Sequence, residues 1–575
     1  MSTGACAVVD LRRPVDAAAL VAELKSRRWD RVFAVTPLAA WTLEEAGLAF
    51  ETNAALVERS AFRTGCLGHH ERVRRALVAA FGAESDSWLG LMLQLVAFAA
   101  YALGEDMRLR SLDGLDLSVF SDAPHESRDR LSLEAHLYNE CALYFGAVTA
   151  ERHRAVPRRS ESLARLLNRV KRLTPAGLGR KLARLMPRRG GPALVTDYGY
   201  DWAALRPHLE PSYSQWTFAD LAAELRDLGG PEPDAATLDR FAAALTAEFQ
   251  ALLPRTLGPF VAMARDRAAR YGVLRQRYAD HLPAFADRAD LRATLGTLCG
   301  TDEQFLTHHF MKAAGRPSLF YQHGAYMQRW PMTGPCEVFP ATHNLAYGSA
   351  DAAFLSGLSP KASVTTVGSA LLDALERDEP VKGRFLYVMF LNPGNLALAE
   401  SELAHPDTDH SYLFARHRMV MESFAARPEL TLVLRPHPSQ FTWGLYEPLR
   451  EFAESRKMTN VVFDQSPLDP NRYYAGYEGV LMDYPCTGLL QAMAKGRKIA
   501  CHTGVPYGSD GAEILRRAIP CADDDAAFLA VVRRWCENGA DDGDPGARRD
   551  YLLRFGLTGS PALPVARAIV DRALS

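Results

Sequence analysis

Neither sign of charge is in excess in this chain. Across 575 residues, 66 Lys and Arg stand against 68 Asp and Glu, a formal net charge of −2. A protein whose main partner is nucleic acid normally carries a basic surplus, so that class is set aside. Paired cysteines are missing as well. The nine cysteines (Cys6, Cys66, Cys141, Cys299, Cys336, Cys486, Cys501, Cys521 and Cys536) are odd in number, scattered, and never spaced C-x-x-C. Neither a disulfide framework nor a zinc site is expected, and a reducing cytoplasm is the expected compartment. The opening residues MSTGACAVVDLRRPVD lack the basic-then-apolar order of a secretory signal. No D-x-D falls on a loop suited to a metal, so neither a metal nor a cofactor is expected. Internal repeats and low-complexity tracts are absent.

Only one apolar run is long. WLGLMLQLVAFAAYALG, residues 88–104, is interrupted by Gln94 and has no cationic flank. It falls slightly short of the roughly 20 residues that span a bilayer, so a buried core helix is expected.

What is present is a folded α/β protein, 48% hydrophobic and 23% charged. Its length exceeds one ordinary core, so two large domains with an inserted one are expected. The chain opens with strand–helix alternation (ACAVVDL, DAAALVAELKSRR, RVFAVTP, LAAWTLEEAG, AFET), the pattern of a parallel, doubly wound sheet. From about 61 to 295 the pattern turns mostly helical. Alternation resumes near 301 with SLFYQ, LAYGSADAAFL and SVTTVGS, and LERDEPVKGR reads as a linker. A second alternating unit follows: FLYVMFL, SYLFARHRMVMESFAA, LTLVLR, GVLMD, GLLQAMAKG and KIACHTG. The expected division is one lobe from 1–60 and 296–378, a helical insertion over 61–295, a second lobe over 384–540, and a C-terminal helix within 546–575. Sites in such sheets sit at the carboxyl ends of strands, facing the cleft between lobes.

Three motifs fall directly after predicted strands. YQHG places His323, the one group there that titrates near neutral pH, beside Gly324, which lets a ligand or backbone come close. The plainer reading is a strand-end histidine bonded to a carbonyl. LTLVLRPHPS fixes His437 between two prolines, with Arg435 before it and Ser439 after; rigid donors of this kind suit a phosphate, while the plainer reading is a stiff turn. GVLMDYPCTGLLQAMAKG ends a strand at Asp483 and opens a helix near Thr487 and Gly488. That is an anion site if its amides are open, and otherwise an N-cap by Thr487.

Taken in order, QHG, RPHP and D-x-x-x-T opening a helix resemble the GT-B-fold bacterial transferases of surface-polysaccharide synthesis. These include the CDP-glycerol glycerophosphotransferases (teichoic acid polymerases) and the capsule transferases that use CMP-Kdo or CMP-sialic acid. The resemblance spans roughly residues 301–515. Gly368 and Asp373 in TVGSALLDAL are similar to the Gly-x-x-x-x-Asp segment closing the first lobe of such enzymes. It implies two doubly wound Rossmann-like lobes and transfer of a sugar or polyol phosphate from a nucleotide-activated donor, CMP- or CDP-linked, to an oligosaccharide or lipid-linked glycan. It implies His323 on the acceptor side as base or ligand, with Gly324 giving close approach. Arg435, His437, Ser439, Asp483, Thr487, Gly488 and Glu513 would hold the donor. The chain departs from the family where Cys486 and Thr487 replace adjacent hydroxyl residues. It also lacks the acidic pair plus glycine that supplies the base in polysialyltransferases; Asp302 and Glu303 in GTDEQF are the nearest acidic pair. Two other readings stay open: a nucleotide-sugar 2-epimerase-like isomerase and a non-catalytic glycan-assembly subunit.

Residues 151–190 hold thirteen Lys and Arg against two Glu, with leucines at helical spacing. A basic amphipathic helix reads as a surface for anionic lipid, and otherwise as a solvated face. A peripheral position on the inner face of the plasma membrane is therefore expected.

Overall fold

The computed structural model describes residues 5–11, 15–121, 153–155, 191–196, 199, 201–324, 332–359, 361–376, 378–389, 406–436, 447–464, 473–504, 509–541 and 543–575. Its strands form three all-parallel sheets. The first holds β1 (Ala5–Asp10), β2 (Arg31–Ala34), β3 (Glu51–Thr52), β4 (Asp116–Ser121) and β5 (His153–Ala155), in the order β3-β2-β1-β4-β5. The second holds β6 (Ala193–Thr196), β7 (Ser214–Trp216), β8 (Leu291–Gly296), β9 (Ser318–Tyr321), β10 (His343–Ala346) and β11 (Ser363–Thr366), in the order β11-β10-β9-β8-β6-β7. The third holds β12 (Arg384–Met389), β13 (Thr431–Pro436), β14 (Val461–Phe463), β15 (Gly479–Met482), β16 (Lys498–His502) and β17 (Cys521–Ala522), in the order β14-β13-β12-β15-β16-β17.

The expected α/β, doubly wound architecture is present, and the division into units differs from expectation. Residues 1–60 do not share a sheet with β9–β11. They pair with β4 and β5 in a sheet of their own, which packs on the third. Trp41 lies in the apolar core of the third sheet and donates its indole N–H to Glu451 Oε2 at 3.1 Å, while Glu44 pairs with Arg418. Nor is 61–295 simply a helical insertion. It supplies β4 and β5 to the first sheet and β6, β7 and β8 to the second. The long helices of this region, among them His69–Phe81, Met92–Ser111, Ala235–Phe249 and Leu257–Arg288, bury one continuous apolar core. The apolar run at 88–104 lies inside that core, with Leu95 through Leu103 all buried. Among the described residues no single helix is long and apolar enough to cross a membrane.

Strand order decides where ligands can sit. In the third sheet the winding reverses between β12 and β15, and a doubly wound sheet opens its ligand crevice outside the carboxyl ends of the strands at such a reversal. Both strands are nearly all apolar and buried, as a sheet covered on both faces requires.

The second and third lobes are also tied at their far end. Gly368 has a left-handed φ of +84°, after which Ser369 N–H donates to Gly556 O at 2.9 Å. Asp373 accepts the first amide of the last helix, Ala562–Leu574, at 2.6 Å. That helix buries Ala566 and Val570 against the second sheet, so the chain crosses back to the lobe it left. The Gly-x-x-x-x-Asp segment is therefore the seat of the returning C-terminus.

Candidate functional site

β9 is wholly buried, and the chain emerges from it into a turn fixed from below. The buried Gln322 makes three bonds: its Nε2 donates to Gly324 O at 2.6 Å and to Asp351 Oδ2 at 2.7 Å, and its Oε1 accepts Tyr347 N–H at 2.7 Å. His323 is half-buried, and its amide donates to Glu337 Oε2 at 3.5 Å. Gly324 follows at φ +70°, a conformation that glycine adopts without strain.

β15 delivers Asp483 to the reversal point of the third sheet, but as a buried hub. His417 Nε2 and Tyr387 OH each lie 2.5 Å from the carboxylate, and Arg416 donates to it at 3.4 Å. Burial pushes this carboxyl up, and the charges of His417 and Arg416 with the Tyr387 hydroxyl overcome that, leaving it well below the ordinary carboxylate range. Arg416 also binds Asp525 at 2.5 Å, and His502, at the end of β16, lies 3.2 Å from the same aspartate. Residues at or near the ends of β12, β15 and β16 thus join one charged layer beneath the crevice, buried except at Asp525, whose side chain is 28% exposed. Expected as a donor ligand, Asp483 is instead 2% exposed and consumed by this layer.

Above the layer, Pro485 and Cys486 lead into the helix Thr487–Ala494. Thr487 does not cap this helix. Cys486 occupies the cap position with no side-chain cap bond, so Thr487 is the first helical residue. Gly488 is a packing glycine, because a Cβ there would meet the Tyr474 hydroxyl. A helix N-terminus at a sheet reversal is suited to an anion through its amides and dipole.

The two turns meet. A Cβ built at Gly324 would overlap Thr487 Oγ1 and lie 3.5 Å from Thr487 Cβ. The glycine of QHG is therefore demanded twice, by its backbone angle and by the threonine that opens the helix of the other lobe. The carboxyl edges of β9 and β15 meet at this contact.

Other expected site residues fall elsewhere. Asp302 is buried among helices, where it pairs with Arg267 and accepts Gln94 Nε2 at 3.2 Å; it braces the helical layer and is not open to the cleft. Glu303, in the same first turn, accepts Thr307 Oγ1 through its backbone carbonyl at 2.6 Å, and its charge acts on the buried Tyr278. Arg435 is 5% exposed, donates to Asp464 at 3.0 Å, and lies over the Tyr473 ring at 3.9 Å. Those contacts hold the end of β13 in place. Glu513 is exposed on the helix Ser509–Ala518. His437, Ser439 and all of 151–190 except the strand 153–155 lie outside the described residues. Among the described residues no group of three or more His, Cys, Asp or Glu is arranged to hold a metal.

The sequence reading missed His417, Arg416, Tyr387, Asp525, His502, Gln322 and Glu337. The adjacent Arg416 and His417 inside an otherwise apolar helix face were the one visible signal, since buried cations require a buried anion.

No protein-family model and no curated protein matches the chain. Similar solved structures include the Methanocaldococcus jannaschii UDP-GlcNAc 2-epimerase in complex with UDP-GlcNAc and UDP, at 11% identity over 66% of this chain and 99% of that one, TM-score 0.38. Anabaena Alr3699/HepE in complex with UDP is similar at 10% identity over 66% of this chain and 100% of that one, TM-score 0.36. The lipopolysaccharide outer core galactosyltransferase WaaB is similar at 12% identity over 52% and 80%, TM-score 0.30.

Proposed function

We propose that the protein transfers a sugar or polyol phosphate from a nucleotide-activated donor to a glycan acceptor. The observation that carries this reading is the meeting of Gly324 with Thr487, which sets a histidine turn of one lobe against a helix N-terminus at the reversal point of the other. The donor diphosphate or phosphate would rest on the amides opening Thr487–Ala494 and on the Thr487 hydroxyl. His437 and Ser439, following β13, would add donors from the side. His323 would take the proton of the acceptor hydroxyl as the nucleotide departs. General-base help of this kind supplies about 10² to 10⁴ in rate, and amide and hydroxyl donors stabilise the leaving phosphate. The fixed turn beneath His323 keeps the base in place, which suits a reaction limited by orientation.

Incubation with CMP-, CDP- and UDP-activated donors, with and without glycan acceptors, tests the reading by nucleotide release. Acceptor-dependent release is expected. Interconversion of sugar epimers without transfer would establish an isomerase instead, and no binding of any donor would leave an assembly subunit.

The finer reading is bacterial surface-polysaccharide synthesis (capsule or lipopolysaccharide-type glycan) with a CMP- or CDP-linked donor, on the cytoplasmic face of the plasma membrane. It is supported by the motif order and by the basic segment, which would hold the enzyme beside a lipid-linked acceptor. Each basic residue at an anionic bilayer contributes about 1 kcal/mol. Replacing Arg180, Lys181, Arg184, Arg188 and Arg189 by Gln should therefore release the protein from anionic vesicles, as should raised salt. Equal sedimentation with neutral and anionic vesicles would sink this part of the reading.

A further inference from the structure

One buried acid of the second lobe has no role in the account so far. Asp201 is 0% exposed and stands just before the helix Trp202–Leu209, yet its side chain makes no bond that caps that helix. Among the described residues no cation acts on it, and burial pushes its carboxyl up against the pull of the bonds it accepts. Those bonds run in two directions. Oδ2 accepts the Tyr347 hydroxyl, and Oδ1 accepts Ser369 Oγ–H and Leu371 N–H, each at 2.8 Å. On the first side, Tyr347 N–H donates to Gln322 Oε1, and the same Gln322 side chain holds Gly324 O. On the second, Ser369 Oγ accepts Leu372 N–H at 3.2 Å and caps the short helix Ala370–Asp373. Leu372 lies in an apolar core of the third lobe. A Cβ built at Gly556 would lie 2.8 Å from Leu372 Cδ1 and 3.4 Å from Leu490 Cδ1, so both leucines pack on that glycine. Leu490 belongs to the helix Thr487–Ala494, which the short helix also touches. The second lobe thus grips the short helix by its cap and backbone, and the third lobe grips it by Leu372.

We propose that Asp201 is a positioning residue that joins the two halves of the candidate site. Through Tyr347 it holds the turn of Gln322 to Gly324, and through Ser369 and Leu371 it holds the joint that packs on the helix opening at Thr487. A buried polar network whose members are bonded is rigid and specifies one geometry, which an apolar side chain of the same size cannot do. Asp201 touches no substrate. Its effect on turnover rests on the transfer reading given above, in which a misplacement of about 1 Å costs about 10²-fold. Its effect on the register of the lobes does not rest on that reading.

Two readouts in the full chain test this. The first needs no donor: the rate at which cysteines placed at 324 and 487 link under limiting oxidant, in a Cys486→Ser background. Asp201→Ala and Tyr347→Phe should each slow linking about 5- to 20-fold, because loosened lobes spend less time in the linking register. Asp201→Asn keeps an acceptor for Ser369 and Leu371 and should fall between the parent and Asp201→Ala. Thr294→Val removes a buried hydroxyl bonded to His308 in the same sheet, off this chain of bonds; it should melt lower and link at the parent rate. The second readout is kcat without the added cysteines. Asp201→Ala and Tyr347→Phe should lower it about 10-fold at unchanged donor KM, and combining them should add nothing, since both act through one contact. Parent-like linking in Asp201→Ala and Tyr347→Phe, equal slowing in Thr294→Val, or Asn no better than Ala would each overturn the proposal. A parent pair that never links would overturn it too, because the register itself would be absent. If Asp201→Ala does not fold, Tyr347→Phe, which loses one hydroxyl, decides alone. Slowed linking with parent-like kcat would overturn the role in turnover. Slowed linking in a protein that turns over no donor would remove the transfer reading and uphold Asp201 as the joint between the lobes.

Discussion

His323→Ala is expected to lose about 10² to 10⁴ in turnover while binding donor nucleotide with near-parent affinity. The split follows from where the residue sits. His323 belongs to the turn after β9, whereas the surfaces proposed for the donor belong to the third sheet and the helix Thr487–Ala494. Removing the imidazole leaves the scaffold intact, because Gln322, Asp351 and Glu337 hold that turn through the Gln322 side chain and the His323 backbone. The fold should therefore melt near the parent temperature. If donor affinity and turnover fall together, His323 belongs to the donor side. If neither moves, it is a strand-end histidine of no chemical consequence.

Asp483→Ala should cost about 3–5 kcal/mol of stability, the range for removing one partner of a buried ion pair. His417 and Arg416 are 0% and 2% exposed and would be left facing a cavity in which, among the described residues, Asp525 is the remaining anion, and it pairs with Arg416. The loss should appear as a lower denaturant midpoint at unchanged slope. Asp483→Asn should also destabilise, since an isosteric amide restores shape without charge. The pH dependence has a defined sign. The folded carboxyl is held below its unfolded value, near 3.9, so its contribution is present above that value and is lost only as pH falls through the lower folded one. Stability from this hub should accordingly survive mild acid. A variant as stable as the parent would mean the layer does not hold the sheet edge.

Much of the third sheet was legible because its strands are unbroken apolar runs, as in FLYVM, TLVL and GVLM, separated by turn residues. The helices between them carried clear period. Assignment of the first 60 residues to a lobe was not legible. Strand pattern specifies that a segment will pair and says nothing of which segment it pairs with; β1 finds β4 more than 100 residues on, beyond a block of helices. Between 116 and 296, β5 and β7 were hidden by their shortness, three residues each, whereas β4 and β8, six residues each, were hidden by the long helical stretches around them. Site residues followed the same rule. His323, Gly324 and Thr487 announce themselves at strand ends. Asp483 does so too, yet whether it faces a ligand or the interior depends on His417, 66 residues away in sequence. Glu337 had no pattern at all, because one acid in TGPCEVF carries no periodicity and a π-helical turn leaves none to read.

The measurement that bears most directly on a single site shared by two lobes is a reversible cross-link between them. The Cβ position at 324 lies 3.5 Å from Thr487 Cβ, and disulfides form at Cβ separations of about 3.5–4.5 Å. In a Cys486→Ser background, the pair Gly324→Cys and Thr487→Cys strains the left-handed backbone at 324 and removes the Thr487 hydroxyl, so turnover should already be lowered before any link forms. Oxidation should then link the pair and stop the residual acceptor-dependent nucleotide release. Reduction should then restore the rate of the unlinked variant. Two thiols that remain open to alkylation after oxidation, or a linked protein that turns over as fast as the unlinked one, would contradict the account.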